Sequence, residues 1–206
     1  MGAQVLRFFP AYVALAASLA YGDYGAVRTA LFRRRCSAPA WSKWLGDAAL
    51  SGGGVFDLLI HDVDMCRHLF GAPESVSASG FEDLARGIDV IDARFHFAGG
   101  LAVTISGGWH PGAFPFSMDY SIVGDAGAIE YSSAGLPPTR YGSDGAALLA
   151  LDEADGYAAE IAYFAECARS GSAPERCLPE DSAEAVRLTS LMSEARQWNG
   201  EKISCR

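Results

Sequence analysis

The sequence predicts one α+β domain, residues 1–206, built on a mostly antiparallel, open-faced sheet of about six or more strands with helices on one face. Between residues 75 and 131, short segments that alternate apolar and polar residues are separated by glycine-containing turns, as in an antiparallel meander. Before and after that region, apolar residues recur at helical spacing. Half of the residues are hydrophobic, which is enough for a single folded core.

The central helix is predicted over residues 53–70, within the run GGGVFDLLIHDVDMCRHLFG, which is apolar on nearly all sides and is therefore expected to be buried. At about 100° per residue, its polar side chains fall in one narrow stripe: Asp57, His61, Asp64 and His68. Burying two carboxylates and two imidazoles is costly unless they are paired or line a cleft. The stripe predicts the wall of a small-molecule site, and an internal Asp–His hydrogen bond is the alternative.

The segments before the central helix are predicted as a strand over residues 5–8, a helix over 11–21 and a strand over 26–35. Residues 8–20 also resemble the apolar core of a secretory signal peptide, although the run is too short to cross a membrane. We favour the helix because its apolar residues lie on one side.

Two features of this N-terminal region could contact a ligand. The cluster Arg33-Arg34-Arg35 is expected at a solvated strand end, and binding to a cofactor phosphate or to a carboxylate is the alternative. Residues 36–51 are predicted to form a loop that contains Trp41 and Trp44. Trp44 is a candidate for stacking on a bound ligand, although packing against the core is the more common use of such a residue.

The segments after the central helix follow the meander pattern and then return to helices. Strands are predicted over 75–81, 88–97, 101–109, 118–123 and 128–131, a loop over 133–145, an edge strand over 146–151 and a last strand over 202–205. One helix is predicted from the period of Tyr157, Ile161, Phe164 and Ala168. Another is predicted from Pro179 to Asn199-Gly200, with an inner stripe of Leu188, Leu191, Met192, Ala195 and Trp198.

The composition excludes several classes of partner. A net charge of −9 argues against nucleic acid and against anionic membranes, since both repel an acidic protein. The five cysteines form no C-x-x-C pair and are odd in number, so neither a disulfide framework nor a zinc site is expected. A reducing, cytoplasmic location fits this cysteine pattern.

The motifs of the chain resemble those of a known enzyme family. Gly52-Gly53-Gly54, Asp57 and His61-Asp62-x-Asp64 resemble the GGG-x-x-D-x-x-x-H-D-x-D signature of the Gfo/Idh/MocA oxidoreductases. Arg7-Phe8-x-Pro10 and the segment from Gly22 to Val27 resemble two further family segments, R-F-x-P and G-x-x-G-x-V. Trp44 sits where the family often has a tryptophan. The likeness covers nearly the whole chain and implies a dihydrodipicolinate reductase-like C-terminal domain.

The resemblance also implies a function. Family members begin with a Rossmann domain that carries G-x-G-x-x-G and an E-K-P lysine, and neither motif occurs in these 206 residues. We therefore expect the substrate-binding half of an oxidoreductase, with NAD or NADP held mainly by a domain that this sequence lacks. The implied substrate is a polyol, a sugar or an inositol-like alcohol. The resemblance assigns catalysis to His61, as the base, and to Asp57, and it implies that the open sheet face joins copies of the chain.

The remaining assignments are weaker or belong to rival functions. Asp64, His68 and Trp44 are candidates for substrate binding. A non-catalytic oligomerisation module is the main alternative function. A metal-dependent hydrolase that uses His61 and a carboxylate together with His96 or His110 is a further one, although no metal site is expected from four histidines without a dense ligand cluster.

Overall fold

A computed structural model describes residues 1–198 and 200–206 of the chain. Its helices are α1 (Pro10–Tyr21), α2 (Lys43–Gly46), α3 (Ala48–Ser51), α4 (Ile60–Phe70), α5 (Gly156–Ser170) and α6 (Pro179–Gln197). Its strands are β1 (Val27–Ser37), β2 (Ser75–Asp83), β3 (Ile88–His96), β4 (Ala102–His110), β5 (Ser117–Gly124), β6 (Gly127–Ser132), β7 (Leu136–Gly142), β8 (Gly145–Leu148) and β9 (Ile203–Ser204).

The strands of the described residues form a nine-stranded sheet in the order β8-β7-β6-β5-β1-β4-β3-β2-β9. Neighbouring strands are antiparallel except β1 and β4, which run parallel with Phe32 opposite Ile105. The predicted α+β class with a mostly antiparallel sheet is confirmed. Between the two parallel strands the chain forms α2, α3, α4, β2 and β3 before it returns beside β1.

The hydrophobic core lies between the sheet and the helices α1, α4 and α6. In β1, Ala30 and Phe32 are buried beneath the helices, whereas the alternate residues Thr29 and Arg33 lie on the open face. The helices contribute further fully buried side chains to this core, among them Tyr12, Leu15, Leu59, Val63 and Met192. The open face is therefore left for solvent or for another protein.

The central helix begins differently from its predicted form. Its first turn, Val55–Leu59, is a π-helical turn, and the regular α-helix α4 follows it. The side chain of Asp89 on β3 accepts a hydrogen bond from the backbone N–H of Val55 at 2.9 Å. Gly53, with φ of 81°, lies so close to Asp89 that an added Cβ would meet the carboxylate at 2.6 Å. The glycines therefore allow the helix start to rest directly on the sheet.

Three predicted segments differ from the structure. The predicted loop over 36–51 contains the short helices α2 and α3. Residues 5–7 form a 3₁₀ turn instead of a strand, because this turn lets Arg7 pair with Asp64 and Asp181 from two helices. The predicted loop over 133–145 contains β7, which pairs with β6 and β8. Prolines normally oppose a strand, but Pro137 and Pro138 coincide with the irregularity in the β6–β7 pairing.

The two C-terminal helices are present, but their apolar stripes differ in burial. Leu188, Met192 and Ala195 of α6 are buried as predicted, whereas Trp198 is 52% exposed. The predicted end of that helix at Asn199 lies outside the described residues. On α5 the whole stripe is exposed, as the fractions for Tyr157, Ile161 and Phe164 show (59%, 68% and 53%). No helix in residues 1–198 is long and apolar enough to cross a bilayer.

Candidate functional site

A cavity of about 820 Å³ lies where the end of β1 meets the start of the central helix. Its walls are mainly apolar, and they include the aromatic rings of Phe9, Trp41, Phe114, Phe116 and Tyr157. Polar groups reach it from Arg34 of β1, Asp57 of the π-helical turn and His61 of α4. An apolar pocket with a few convergent polar groups is the usual form of a small-molecule site. We refer to it as the central cavity.

Asp57 is the carboxylate of the central cavity. Trp109 at the end of β4 donates its indole N–H to Asp57 Oδ2 at 3.0 Å. Burial raises the pKa of Asp57 from its ordinary value, and the hydrogen bond from Trp109 opposes that rise. Asp57 is therefore held in a partly desolvated position at the edge of the cavity.

His61 lies one turn after Asp57 and lines the same cavity. Its Nδ1 atom is buried and has no hydrogen-bond partner among the described residues. Burial lowers the pKa of His61 from 6.5 to about 4, with a smaller contribution from the positive charge of Arg34. The imidazole is therefore neutral at pH 7, so it can accept a proton from a bound ligand.

Beneath His61, Arg34 and Asp62 form a buried ion pair. Arg34 Nε and Nη2 lie 2.8 and 3.1 Å from the two carboxylate oxygens of Asp62, and both side chains are at most 5% exposed. The sequence interpretation missed this pair, since it placed Arg34 in a solvated cluster. The alternation of β1 could have revealed it, because Arg34 lies on the same face as the buried Ala30 and Phe32.

The structure does not bring Asp64, His68 and Trp44 to the central cavity. Asp64 is 1% exposed and is paired with Arg7 through contacts of 2.9 and 2.7 Å. His68 lies two turns beyond His61, about 10 Å along the helix at 1.5 Å per residue, and lines a separate cavity of about 270 Å³. Trp44 is 57% exposed and lies outside the cavity lining, whereas its neighbour Trp41 belongs to it.

The third glycine of the central motif allows the site to form. A Cβ at Gly54 would lie 2.5 Å from Trp109 Cγ and 2.7 Å from its backbone nitrogen. We expect Gly54→Ala to lower the free energy of unfolding by about 1–3 kcal/mol or more, because a fully buried ring cannot move aside. Urea unfolding measures this. Gly46→Ala is the control, since a Cβ there has open space, and an equal loss in both variants would contradict the proposed clash.

The site combines an ionisable carboxylate, a neutral imidazole and aromatic walls. Such a set can bind a hydroxylated ligand against its rings and remove a hydroxyl proton. Among the described residues, no three His, Cys, Asp or Glu side chains gather closely enough to hold a metal ion. Acid–base chemistry by Asp57 and His61 is thus what these residues can perform themselves.

The fold matches that of a solved dehydrogenase and that of a solved oxidoreductase. Levoglucosan dehydrogenase in complex with NADH matches with a TM-score of 0.83 and 14% identity, over 100% of this chain and 66% of that chain. An oxidoreductase from Agrobacterium radiobacter, in complex with NAD+, L-tartaric acid and magnesium, matches with a TM-score of 0.76 and 19% identity, over 98% and 64%. The chain therefore spans less than two thirds of the length of these proteins. At sequence identities this low, the structural likeness shows a shared fold and nothing more specific.

The sequence comparison is more specific. None of the curated proteins compared with the chain matches it. The sequence profile of the GFO/IDH/MocA C-terminal domain, however, matches residues 12–130, which is more than half of the chain. This range contains the three glycines, Asp57 and the His61-Asp62-x-Asp64 motif that carry the resemblance. Together with the fold, this match shows that the chain belongs to the GFO/IDH/MocA family of oxidoreductases.

Proposed function

We propose that the chain is the substrate-binding and catalytic half of an NAD(P)-dependent oxidoreductase that acts on a polyol, a sugar or an inositol-like alcohol. The observation that carries this proposal is the convergence of Asp57 and neutral His61 on one aromatic-walled cavity. Aromatic rings suit the apolar faces of sugars. The matched dehydrogenase has also been solved with NADH and levoglucosan, and with NADH and L-sorbose, which supports a sugar-like ligand.

In this reaction a bound NAD(P) would supply the acceptor for the hydride that leaves the carbinol carbon of the substrate. His61 removes the proton of the reacting hydroxyl, for which its neutral imidazole is in the correct state. Asp57, one turn earlier, either binds a second substrate hydroxyl or stabilises the imidazolium that His61 becomes. The aromatic walls offer surfaces on which the apolar faces of the substrate can pack.

The start of the central helix does not fit the pyrophosphate of the cofactor. A helix that starts after three glycines can cradle a phosphate with its free N–H groups. Here, however, the Val55 N–H is already bonded to Asp89, and the space beside Gly54 is filled by Trp109. The described residues thus provide no phosphate cradle at this helix, which agrees with a nucleotide held mainly by another domain.

The exposed stripe of α5 is where we propose that this other domain docks. Tyr157, Ile161 and Phe164 are more than half exposed, at positions i, i+4 and i+7 of one helix face. Tyr157 also lines the central cavity. A domain that brings a nicotinamide to His61 would cover the mouth of the cavity, and the stripe is continuous with that mouth. The matched solved chains are longer than this one by at least a third of their own length.

The test of the proposed function is complementation by a nucleotide-binding domain. We expect the 206-residue chain alone to bind NAD(H) and NADP(H) no better than millimolar, about −4 kcal/mol. The described residues form no pyrophosphate cradle at the start of the central helix, and the net charge of the chain is −9. Fusion to a family Rossmann domain, or its addition in trans, should restore binding and dehydrogenation of polyols or sugars. Calorimetry that shows micromolar NAD(H) binding by the chain alone would refute the half-enzyme proposal.

The same complementation experiment distinguishes the proposed oxidoreductase from the main alternative function, a non-catalytic oligomerisation module. A non-catalytic oligomerisation module would fold and self-associate, yet it would leave the completed protein without dehydrogenase activity on any polyol tested. No observation favours a metal-dependent hydrolase, since the described residues gather no set of three metal ligands.

The open face of the sheet is where we propose that copies of the chain associate. It carries exposed apolar side chains at Phe81, Val123 and Tyr141 among polar neighbours, a mixture that resembles protein interfaces. We expect sedimentation equilibrium to show a dimer or larger species at micromolar concentration. Val123→Asp should shift it towards monomer, whereas Val13→Asp on α1 should not. A monomeric wild-type chain would contradict the proposal.

A further inference from the structure

We propose that Trp109 is a positioning residue of this site. Its indole N–H holds one oxygen of Asp57, which keeps the carboxylate oriented and ionised and leaves the second oxygen free for the substrate or for His61. The inference rests on the proposed function, because that function gives Asp57 its role in the cavity.

The contact between the two side chains is specific. The indole N–H of Trp109 lies 3.0 Å from Asp57 Oδ2, and no other described residue makes a hydrogen bond to the Asp57 side chain. An indole can only donate, so it always presents its hydrogen to the carboxylate. The donor is also neutral. It therefore fixes the carboxylate without cancelling the negative charge that an acid–base partner of His61 requires.

The indole has little freedom to turn away from Asp57. Trp109 is 1% exposed, and its ring lies directly against the backbone of Gly54, where even a methyl group would clash at 2.5 Å. Asp89 lies opposite Trp109 in the β3–β4 pairing and fixes the backbone of Val55 at 2.9 Å. Two paired sheet residues thus hold the π-helical turn. Asp89 bonds to the backbone of the turn, and Trp109 bonds to the side chain of Asp57.

Among the charged and polar groups around Asp57, Trp109 is the one that opposes the rise in the pKa of Asp57 caused by burial. Burial raises the pKa of Asp57, and the hydrogen bond from Trp109 lowers it. Two other titratable groups of the cavity, Cys36 of β1 and His61 of α4, have pKa values of about 11 and about 4, so both are neutral at pH 7. The nearby cation, Arg34, is already paired with Asp62. Without the indole, Asp57 would take up a proton more readily.

The first experiment follows the wild-type chain by NMR. The indole ¹H–¹⁵N resonance of Trp109 should shift with pH along a single titration curve, and the carboxyl ¹³C resonance of Asp57 should show the same midpoint. In Asp57→Asn the indole resonance should no longer titrate. The indole of Trp198, which is exposed, is an internal control. An indole resonance of Trp109 that stays constant while Asp57 titrates would overturn the proposal.

The second experiment removes the donor. Trp109→Phe should raise the titration midpoint of Asp57, whereas Trp198→Phe should leave it unchanged; an unchanged midpoint in folded Trp109→Phe would also overturn the proposal. In the protein completed with a Rossmann domain, Trp109→Phe should lower kcat and leave the KM for the nucleotide unchanged. If Trp109→Phe does not fold, the titrations of the wild-type chain and of Asp57→Asn still test the proposal. Because both titrations use the 206-residue chain, an inactive completed enzyme would refute the proposed function and not this hydrogen bond.

Discussion

Asp62→Ala is expected to lower the free energy of unfolding by about 3–5 kcal/mol, because it leaves the guanidinium of Arg34 buried and unpaired. Asp62 is fully buried and Arg34 is 4% exposed. Beyond this pair, the contacts of Arg34 among the described residues are with Tyr12 Oη and Met118 Sδ at 3.4 Å and with the Phe116 ring at 6.0 Å. None of these groups carries the negative charge that would neutralise a cation. Urea unfolding monitored by circular dichroism measures the loss.

The control for this prediction is an exposed pair with equally good geometry. Asp125 binds Arg28 through two contacts of 2.6 Å, but the two side chains are 50% and 60% exposed. Asp125→Ala should therefore cost less than about 1 kcal/mol. The double variant Arg34→Met, Asp62→Leu should regain most of the stability lost in Asp62→Ala, since no unpaired charge remains. A double variant as unstable as the single one would show that the loss has another cause.

The parts of the fold that depend on local patterns could be predicted from the sequence. The helix over Pro10–Tyr21 and the strands from β2 to β6 follow from periodicity and turn residues alone. The parallel pairing of β1 with β4 joins strands far apart in sequence, and no local pattern encodes such a contact. The 3₁₀ turn at residues 5–7 depends likewise on Arg7 reaching carboxylates 57 and 174 positions away.

The candidate site could be predicted only in part, for a related reason. Asp57 and His61 are neighbours on one helix, so their spacing predicts that they face the same cavity, which both of them line. Asp64 and His68 belong to the same stripe but lie outside the central cavity. The rise of the helix carries His68 about two turns away, and Asp64 is paired with Arg7. Trp109 comes from a distant strand. Its contact with Asp57 follows from the packing of β4 under the helix start and not from any motif.

The protonation state of His61 leads to a pH prediction. Its pKa in the folded chain is about 4, against 6.5 when unperturbed, so the unfolded chain binds the proton more tightly. The contribution of His61 to stability is thus complete above about pH 6.5 and is lost as the pH falls towards 4. Imidazole NMR of the 206-residue chain should give the low pKa. A pKa near 6.5 would contradict the buried, neutral state.

In the enzyme completed with a Rossmann domain, His61→Ala is expected to reduce kcat by about 10²–10⁴-fold, the usual contribution of a positioned base. The nucleotide affinity should stay nearly constant, because His61 acts on the substrate proton and does not contact the pyrophosphate.

His68→Ala is the matched control: the same residue type on the same helix, placed at a different cavity. It should leave kcat unchanged. Steady-state kinetics and calorimetry measure the two quantities. Unchanged turnover in His61→Ala would refute the role assigned to this histidine, and equal losses in both variants would indicate damage to the helix instead of loss of a base.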